Sequence, residues 1–218
     1  MIILYHLIKK DILIQKRNLL MACILIAFFI FTLSNIGMAG LSISILAVSY
    51  TLALGVSQIE DKNKSDLMLV SLPIKKSKIV LSKYISVYVF VLYAILVNYI
   101  FSFIIKIFEL PIKFEWFTVD GILGAIISVT IFTSISLPLI FKWGYTKAKL
   151  PNYIIFFLFV IGATSVISNL DYYSTTRIFE FFGQLSNSEM IVLILIPLVL
   201  IVTISYLLSL VFYSKREF

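Results

Sequence analysis

Few residues in this sequence could do chemistry, and their spacing argues against most of it. The chain has one histidine, His6, and one cysteine, Cys23, among 218 residues. A zinc site draws three or four ligands from His, Cys and carboxylate side chains, and a Ser/His/Asp triad would have to recruit His6 from the start of the chain. No Gly-x4-Gly-Lys-Ser/Thr phosphate loop occurs, so the chain is not expected to bind and hydrolyse ATP in that manner. Carboxylates gather only at Glu60, Asp61 and Asp66, short of the clusters with which membrane-embedded transferases hold metal and phosphate. An ion-coupled carrier normally places ionisable groups at mid-membrane, and no such group falls there. An enzyme and an ion-driven carrier both lose ground.

The elements that must position these residues follow from composition. Hydrophobic residues make up 61% of the chain and charged residues 13%, and the mean hydropathy is +1.08. Soluble domains are about one quarter charged, so this composition cannot cover a water-facing surface. The charges fall in clusters, and the gaps between them carry the signal. From Arg17 to Glu60 run 42 uncharged residues, and single gaps of 22, 21, 21 and 25 follow. One helix crosses a bilayer core in about 20 residues, so the first gap holds two spans, turning near Ser34 and Asn35. The expectation is an all-α polytopic membrane protein forming one transmembrane domain over 1–218. Its six transmembrane helices fall near 19–34, 36–57, 84–105, 121–141, 152–170 and 190–213. Helices are required because open strands leave backbone groups unsatisfied in lipid, and the alternation of a transmembrane barrel is absent.

Basic residues set the orientation. Fifteen lysines and arginines lie on the side shared by both termini, and three (Lys106, Lys113 and Arg177) lie on the other. The positive-inside rule puts both termini in the cytoplasm. That bias and attraction to anionic lipid explain the net charge of +7 without a nucleic-acid partner. Cys23 lies within the first span, where it reads as a buried thiol, and the N-terminus does not have the pattern of a cleavable signal peptide. Gly37, Gly40, Gly121 and Gly124, with Asn98 and the hydroxyls of Ser128, Thr130, Thr133, Ser134 and Ser136, read as helix-packing groups. Pro138 and Pro197 are expected to kink their helices.

Between the spans, residues 1–17 place Ile2, Tyr5, Ile8, Ile12 and Leu13 at helical spacing among Lys9, Lys10, Asp11, Lys16 and Arg17, which predicts an amphipathic interfacial helix. Residues 58–83 form the largest cytoplasmic segment. Ser65 is placed to cap a short helix, Asp66 lies in its first turn, Leu67, Leu69 and Leu72 make it apolar, and Pro73 ends it. Ser77 is placed to cap the helix that follows. Two readings of the short helix stay open: a connector lying in the interface, or a docking element whose ridge inserts into a cytoplasmic partner. Residues 106–120 and 171–189 are aromatic-rich outward loops suited to the headgroup layer, and the second could dip back into the bilayer.

The run EDKNKSDLMLVSLPIKKSKIVLSKY over 60–84 resembles the loop of the ABC-2-type transporter permeases, in the small bacterial subfamily that includes exporters of phenol-soluble modulins and other cytotoxic peptides. The residues that carry the likeness include Asp61, Lys62, Asn63, Lys64, Asp66, Ser71, Leu72, Pro73, Lys75, Lys76, Ile79, Val80, Lys83 and Tyr84. A second stretch, LPLIFKWGYTKAK over 137–149, is similar to the family's pattern through Pro138, Phe141, Lys142, Gly144 and Tyr145, with Thr146 where an acidic residue is more usual. The resemblance implies a permease subunit of an ATP-driven exporter in a bacterial plasma membrane. It would pair with a second permease, as homodimer or heterodimer, and with two ATP-binding subunits that hold ATP and magnesium; this chain would need no cofactor of its own. Glu60 to Asp66, with Leu67, Leu69, Leu72, Pro73, Lys75 and Lys76, would form the ATPase-coupling site. Lys142, Gly144, Tyr145 and Lys147 would form a second cytoplasmic contact. Amphipathic or antimicrobial peptides would be the substrates. The alternatives are an ion-coupled secondary carrier, or a non-transporting membrane protein of peptide-antibiotic resistance or sensing.

Overall fold

The computed structural model describes residues 2–71, 73–109, 117–168 and 187–216; the side chains of Asp66, Leu67 and Val70 are not among the described groups. Its elements are α1 (Ile2–Ile14), α2 (Lys16–Leu33), a 3-10 turn (Ser34–Ile36), α3 (Met38–Lys62), α4 (Ser65–Ser71), α5 (Lys76–Ile107), α6 (Val119–Ser168) and α7 (Asn187–Lys215). Long apolar runs with few glycines or prolines make continuous helices, because each satisfies its own backbone in a medium without water. The turn between α2 and α3 falls where expected, at Ser34–Ile36, and ends on Gly37 at φ 60°, a left-handed backbone that glycine adopts without strain.

Five helices among the described residues are long and apolar enough to cross a membrane: Lys16–Ile36, Met38–Lys62, Lys76–Ile107, Val119–Gly162 and Ile191–Lys215. This differs from the six spans expected. The reason lies in α6, which holds both the fourth and fifth expected segments and breaks between them at Gly144, where the backbone is not helical. The helix is not straight. Gly144 has φ 75° and ψ 166°, and the non-helical dihedral falls there rather than at Pro138 or Pro151. In a straight helix Phe132 and Phe156 would lie about 36 Å apart at 1.5 Å per residue. Their ring centroids are instead 5.6 Å apart. The two arms, 119–143 and 145–168, therefore fold back on one another at Gly144.

The bundle is organised around α3. Of its apolar window 72% is buried, against 6% for α7. Tyr50 of α3 packs edge-on to Phe132 in the first arm of α6, centroids 4.5 Å apart, and stacks on Phe156 in the second arm at 5.3 Å. Gly55 lies against Gln15, which sits at the junction of α1 and α2. There Gln15 donates to the Leu52 carbonyl at 3.0 Å, so a side chain at position 55 would displace the buried amide.

The N-terminal helix packs on the bundle with a mixed face rather than a purely apolar one. Leu7, Asp11 and Gln15 recur at four-residue steps and face the bundle, while Tyr5 and Leu13 are exposed. Asp11 and Gln15 are inside because the bundle supplies partners for them, while Lys9, Lys16 and Arg17 are exposed. Ser77 does not cap α5: the N-cap is Lys75, in extended conformation and without a side-chain hydrogen bond.

The Gly144 dihedral lies in a region open essentially to glycine alone, and a non-glycine residue held there costs about 1–3 kcal/mol. An added Cβ would also meet Arg216 Nη2 at 2.9 Å. Gly144→Ala is expected to lower the thermal midpoint of the detergent-solubilised chain while Gly162→Ala, where a Cβ meets nothing within 4 Å, leaves it unchanged. Equal midpoints for the two variants would show that the turn does not depend on this residue.

Candidate functional site

At the ends of α3 and α5 nearest α4, three helices bring four charges together. Asp11 of α1 is 1% exposed and Glu60 of α3 is 4% exposed. Lys83 of α5 bridges them, with Nζ 3.1 Å from Asp11 Oδ1 and 2.6 Å from Glu60 Oε2. Lys10 closes the ring at 2.5 Å from Glu60 Oε1 and 3.3 Å from Asp11 Oδ1. The hydroxyl of Ser86 donates to Asp11 Oδ2 at 2.8 Å. Two cations and two carboxylates balance. Each carboxylate in the cluster is therefore compensated, the condition under which burying ions is tolerable.

Glu60 is the first residue of the predicted coupling set, and its side chain faces the bundle rather than a partner's surface. Ser65 ties in as well: its hydroxyl donates back to the Glu60 carbonyl at 3.1 Å, so it anchors the start of α4 to the end of α3. The chain turns between them through Lys64, at φ 51°.

Asp61 joins the two predicted motifs. Its Oδ2 accepts from the Thr146 backbone N–H at 3.0 Å and from the Thr146 hydroxyl, at the start of the second arm of α6. A carboxylate there meets backbone donors freed by the break at Gly144 and the favourable end of the helix dipole. Arg216 reaches toward Asp61 from the end of the chain, Nη2 to Oδ1 3.9 Å. Tyr145 is buried, and its hydroxyl donates to Gln58 Oε1 at 3.4 Å. Glu60, Asp61, Lys83, Tyr145 and Arg216 share a small cavity of about 30 Å³.

The remaining predicted residues divide by exposure. Lys62, Asn63, Lys64, Pro73 and Lys75 are exposed. Lys76 donates to the Ser214 carbonyl at 3.2 Å, which fixes the start of α5 against α7. Leu69 is not a free anchor: it is 8% exposed and packs in the core, and Met68 beside it is 72% exposed. The side chains of Asp66 and Leu67, and Leu72 entirely, lie outside the described residues. Lys147 is exposed, and Lys142 lies over the rings of Trp143 and Phe212 at 5.3 and 5.2 Å.

Sequence reasoning missed Lys10, Asp11 and Ser86, and treated Lys83 as a flank of the third span. One signal was present. Asp11 is the single carboxylate in an N-terminal segment that otherwise carries only Lys9, Lys10, Lys16 and Arg17, and an isolated opposite charge in a basic run needs a reason.

A family model described as ABC-2 family transporter protein matches residues 6–214. The chain belongs to this family. It is accordingly a multi-pass membrane protein, the permease subunit of an ABC transporter, not itself catalytic, and it works with an ATP-binding subunit. No curated protein and no solved structure matches the chain. In this ABC-2 permease the matched region takes in the whole cluster and both motifs and stops short of Arg216.

Removing one partner of a buried ion pair costs about 3–5 kcal/mol, because the other charge is left uncompensated. Lys83→Met is expected to destabilise the permease by that order, and Lys10→Met, at the more exposed corner, by less. Adding Glu60→Gln to Lys83→Met restores neutrality and recovers part of the loss. Chemical or thermal unfolding of the four proteins in detergent measures this order. A double variant no more stable than Lys83→Met would argue against charge balance as the cause.

Proposed function

We propose that this permease is half of an ATP-driven exporter of amphipathic peptides in a bacterial plasma membrane. It crosses the bilayer six times, with both termini in the cytoplasm. The fourth and fifth crossings are the two arms of α6. Two ATP-binding subunits dock at the α3–α5 loop, and a second permease, identical or related, completes the channel. The basic bias of the α3–α5 loop supports the orientation, and the likeness of residues 60–84 to the peptide-exporter loop supports the substrate class.

The observation that carries the reading is the mounting of α4. Seven residues are too few to hold a helix alone in water, yet α4 follows Glu60 and Asp61, which are fixed in two directions, one into the ion cluster and one onto the second arm of α6. A push on α4 is therefore delivered to α1, α3, α5 and α6 together. Met68, Pro73 and the lysines at 62, 64 and 75 form the exposed docking face, and Leu69 holds the helix down. Glu60 serves the base rather than the contact.

One observation favours an ion-coupled carrier, namely that carboxylates are buried in the bundle. All four charges of that cluster are mutually engaged, however, and they sit at the helix ends rather than at mid-membrane.

Met68→Ala is expected to weaken co-purification of the ATP-binding subunit by about 1–3 kcal/mol, the usual worth of a buried interface side chain, while the chain itself stays as stable as wild type. Leu69→Ala should instead destabilise the chain. Unchanged ATPase binding by Met68→Ala would remove α4 from the docking face. Transport that survives without any ATPase, or collapses with an uncoupler at constant ATP, would replace the exporter reading. For orientation, single cysteines at Asn63 and Val119 in a Cys23→Ser background are labelled in intact cells. Only Val119→Cys should react, and ready reaction at Asn63→Cys would invert the topology.

A further inference from the structure

Between α2, α3 and the second arm of α6 lies a cavity of about 260 Å³, at the end of the bundle that carries the ion cluster. Asn18, Met21 and Leu25 of α2 form one wall, and Tyr145 and Tyr153 of α6 form the other. The floor is α3, from Thr51 to Gln58. Both Asn18 to Leu25 and Gln58 to Thr51 span about 10 Å along their helices at 1.5 Å per residue. The cavity is graded over that depth. At the end near the cluster are the amides of Asn18 and Gln58 and the Tyr145 hydroxyl, which donates to Gln58 Oε1 at 3.4 Å. Further in, Met21 and Leu25 make it apolar, and Thr51 gives its hydroxyl to the Val48 carbonyl at 2.9 Å.

Two cations stand beside the polar end. Tyr145, Lys149 and Tyr153 recur at four-residue steps and so share one face of the second arm, and Lys149 Nζ lies 6.0 Å from the centroid of the Tyr153 ring. Arg17 precedes Met21 by one turn on the same face of α2 and is exposed. Among the described residues no carboxylate lines the cavity. Asp61 follows Gln58 by three residues, but its charge is taken up by Thr146 and Arg216. Glu60 faces Lys10 and Lys83 in the ion cluster.

An apolar recess with polar groups and cations at its mouth is the complement of an amphiphile whose head is an anion. Arginine and lysine on facing walls hold phosphate oxygens by charge-assisted hydrogen bonds, and basic pockets between membrane helices bind anionic lipid headgroups in this way. A zwitterionic lipid brings a cation of its own, which this rim repels, and a cationic peptide is repelled for the same reason. We infer that the cavity between α2 and the second arm of α6 binds one anionic phospholipid, with its phosphate between Arg17 and Lys149 and an acyl chain running in past Met21 and Leu25. The site goes beyond the exporter reading and depends on neither the exported substrate nor the ATPase.

The test uses the full chain in detergent, with native mass spectrometry measuring retention of added phosphatidylglycerol and of phosphatidylcholine with the same acyl chains. The wild type is expected to hold a first phosphatidylglycerol at least about tenfold tighter than a first phosphatidylcholine. Arg17→Gln with Lys149→Gln should bring the two lipids within about twofold of each other, and either change alone serves if the pair does not fold. Lys9→Gln with Lys215→Gln removes the same charge from exposed positions outside the cavity and should leave the preference intact. Leu25→Trp, which fills the apolar end, should weaken phosphatidylglycerol binding about tenfold with both cations in place. No preference in the wild type, or equal losses from the two charge pairs, would reduce the effect to general attraction and overturn the site. Full binding by Leu25→Trp would put the lipid outside the cavity. Release of the lipid by millimolar glycerol phosphate would assign the rim to a soluble anion. Tighter retention of a cationic amphipathic helix than of phosphatidylglycerol would assign the cavity to a peptide.

Discussion

The ion cluster of Lys10, Asp11, Glu60 and Lys83 is the joint through which the other parts of this bundle are positioned. Burying ions is expensive, and continuum reasoning gives such clusters little net stability. Their value lies in what they exclude. With the carboxylates on α1 and α3 and cations on α1 and α5, any arrangement that slides one of these helices by a turn leaves an uncompensated charge among apolar side chains. The cluster therefore fixes register among three helices that share few directional contacts otherwise. Lipid gives no hydrophobic drive for one helix to choose another, so this kind of selection has to come from polar groups.

The same logic extends to the neighbouring loop. Asp61 follows Glu60 directly, and the two side chains go to different helices, one to the cluster and one to the break in α6. Lys76 pins the far end of the loop to α7. The connection between α3 and α5 is thus held at its base on two sides, although its exposed face is lysine-rich and open to water. An apolar residue, Leu69, closes the underside.

The sequence was informative about length and position and much less so about facing. The turn at Ser34, the break between α3 and α4, and the start of α5 just after Pro73 were all legible, because glycine, proline and charge mark the ends of apolar runs. What could not be read was which side of a helix faces protein. In water an apolar stripe points inward, but in a bilayer lipid and protein are both apolar, and periodicity loses its meaning. That is why residues 1–17 were expected to lie in the interface and instead turn Leu7, Asp11 and Gln15 to the bundle, and why Leu69 was assigned outward. The charges misled for a related reason: Glu60 and Lys83 end uncharged stretches and so look solvated, yet each is the other's partner across 23 residues of chain. The fourth and fifth segments were counted from their charge gaps, but that they meet at Gly144 is invisible unless its backbone conformation is known.

That reversal has a consequence for how the chain is made. The two arms of α6 are joined by a single residue of non-helical backbone, at a short tip that carries Lys142, Lys147 and Lys149. A pair of arms so closely joined can enter lipid as one helical hairpin, and the free energy of that step is the sum over both arms. A polar substitution in the second arm, such as one near Gly162, is then carried by the hydrophobicity of the first. The hydroxyl-rich stretch at residues 128–136 is likewise carried into the membrane by the aromatic arm that follows it. Biogenesis and the tolerance for polar groups in the interior are in this way the same property of one turn.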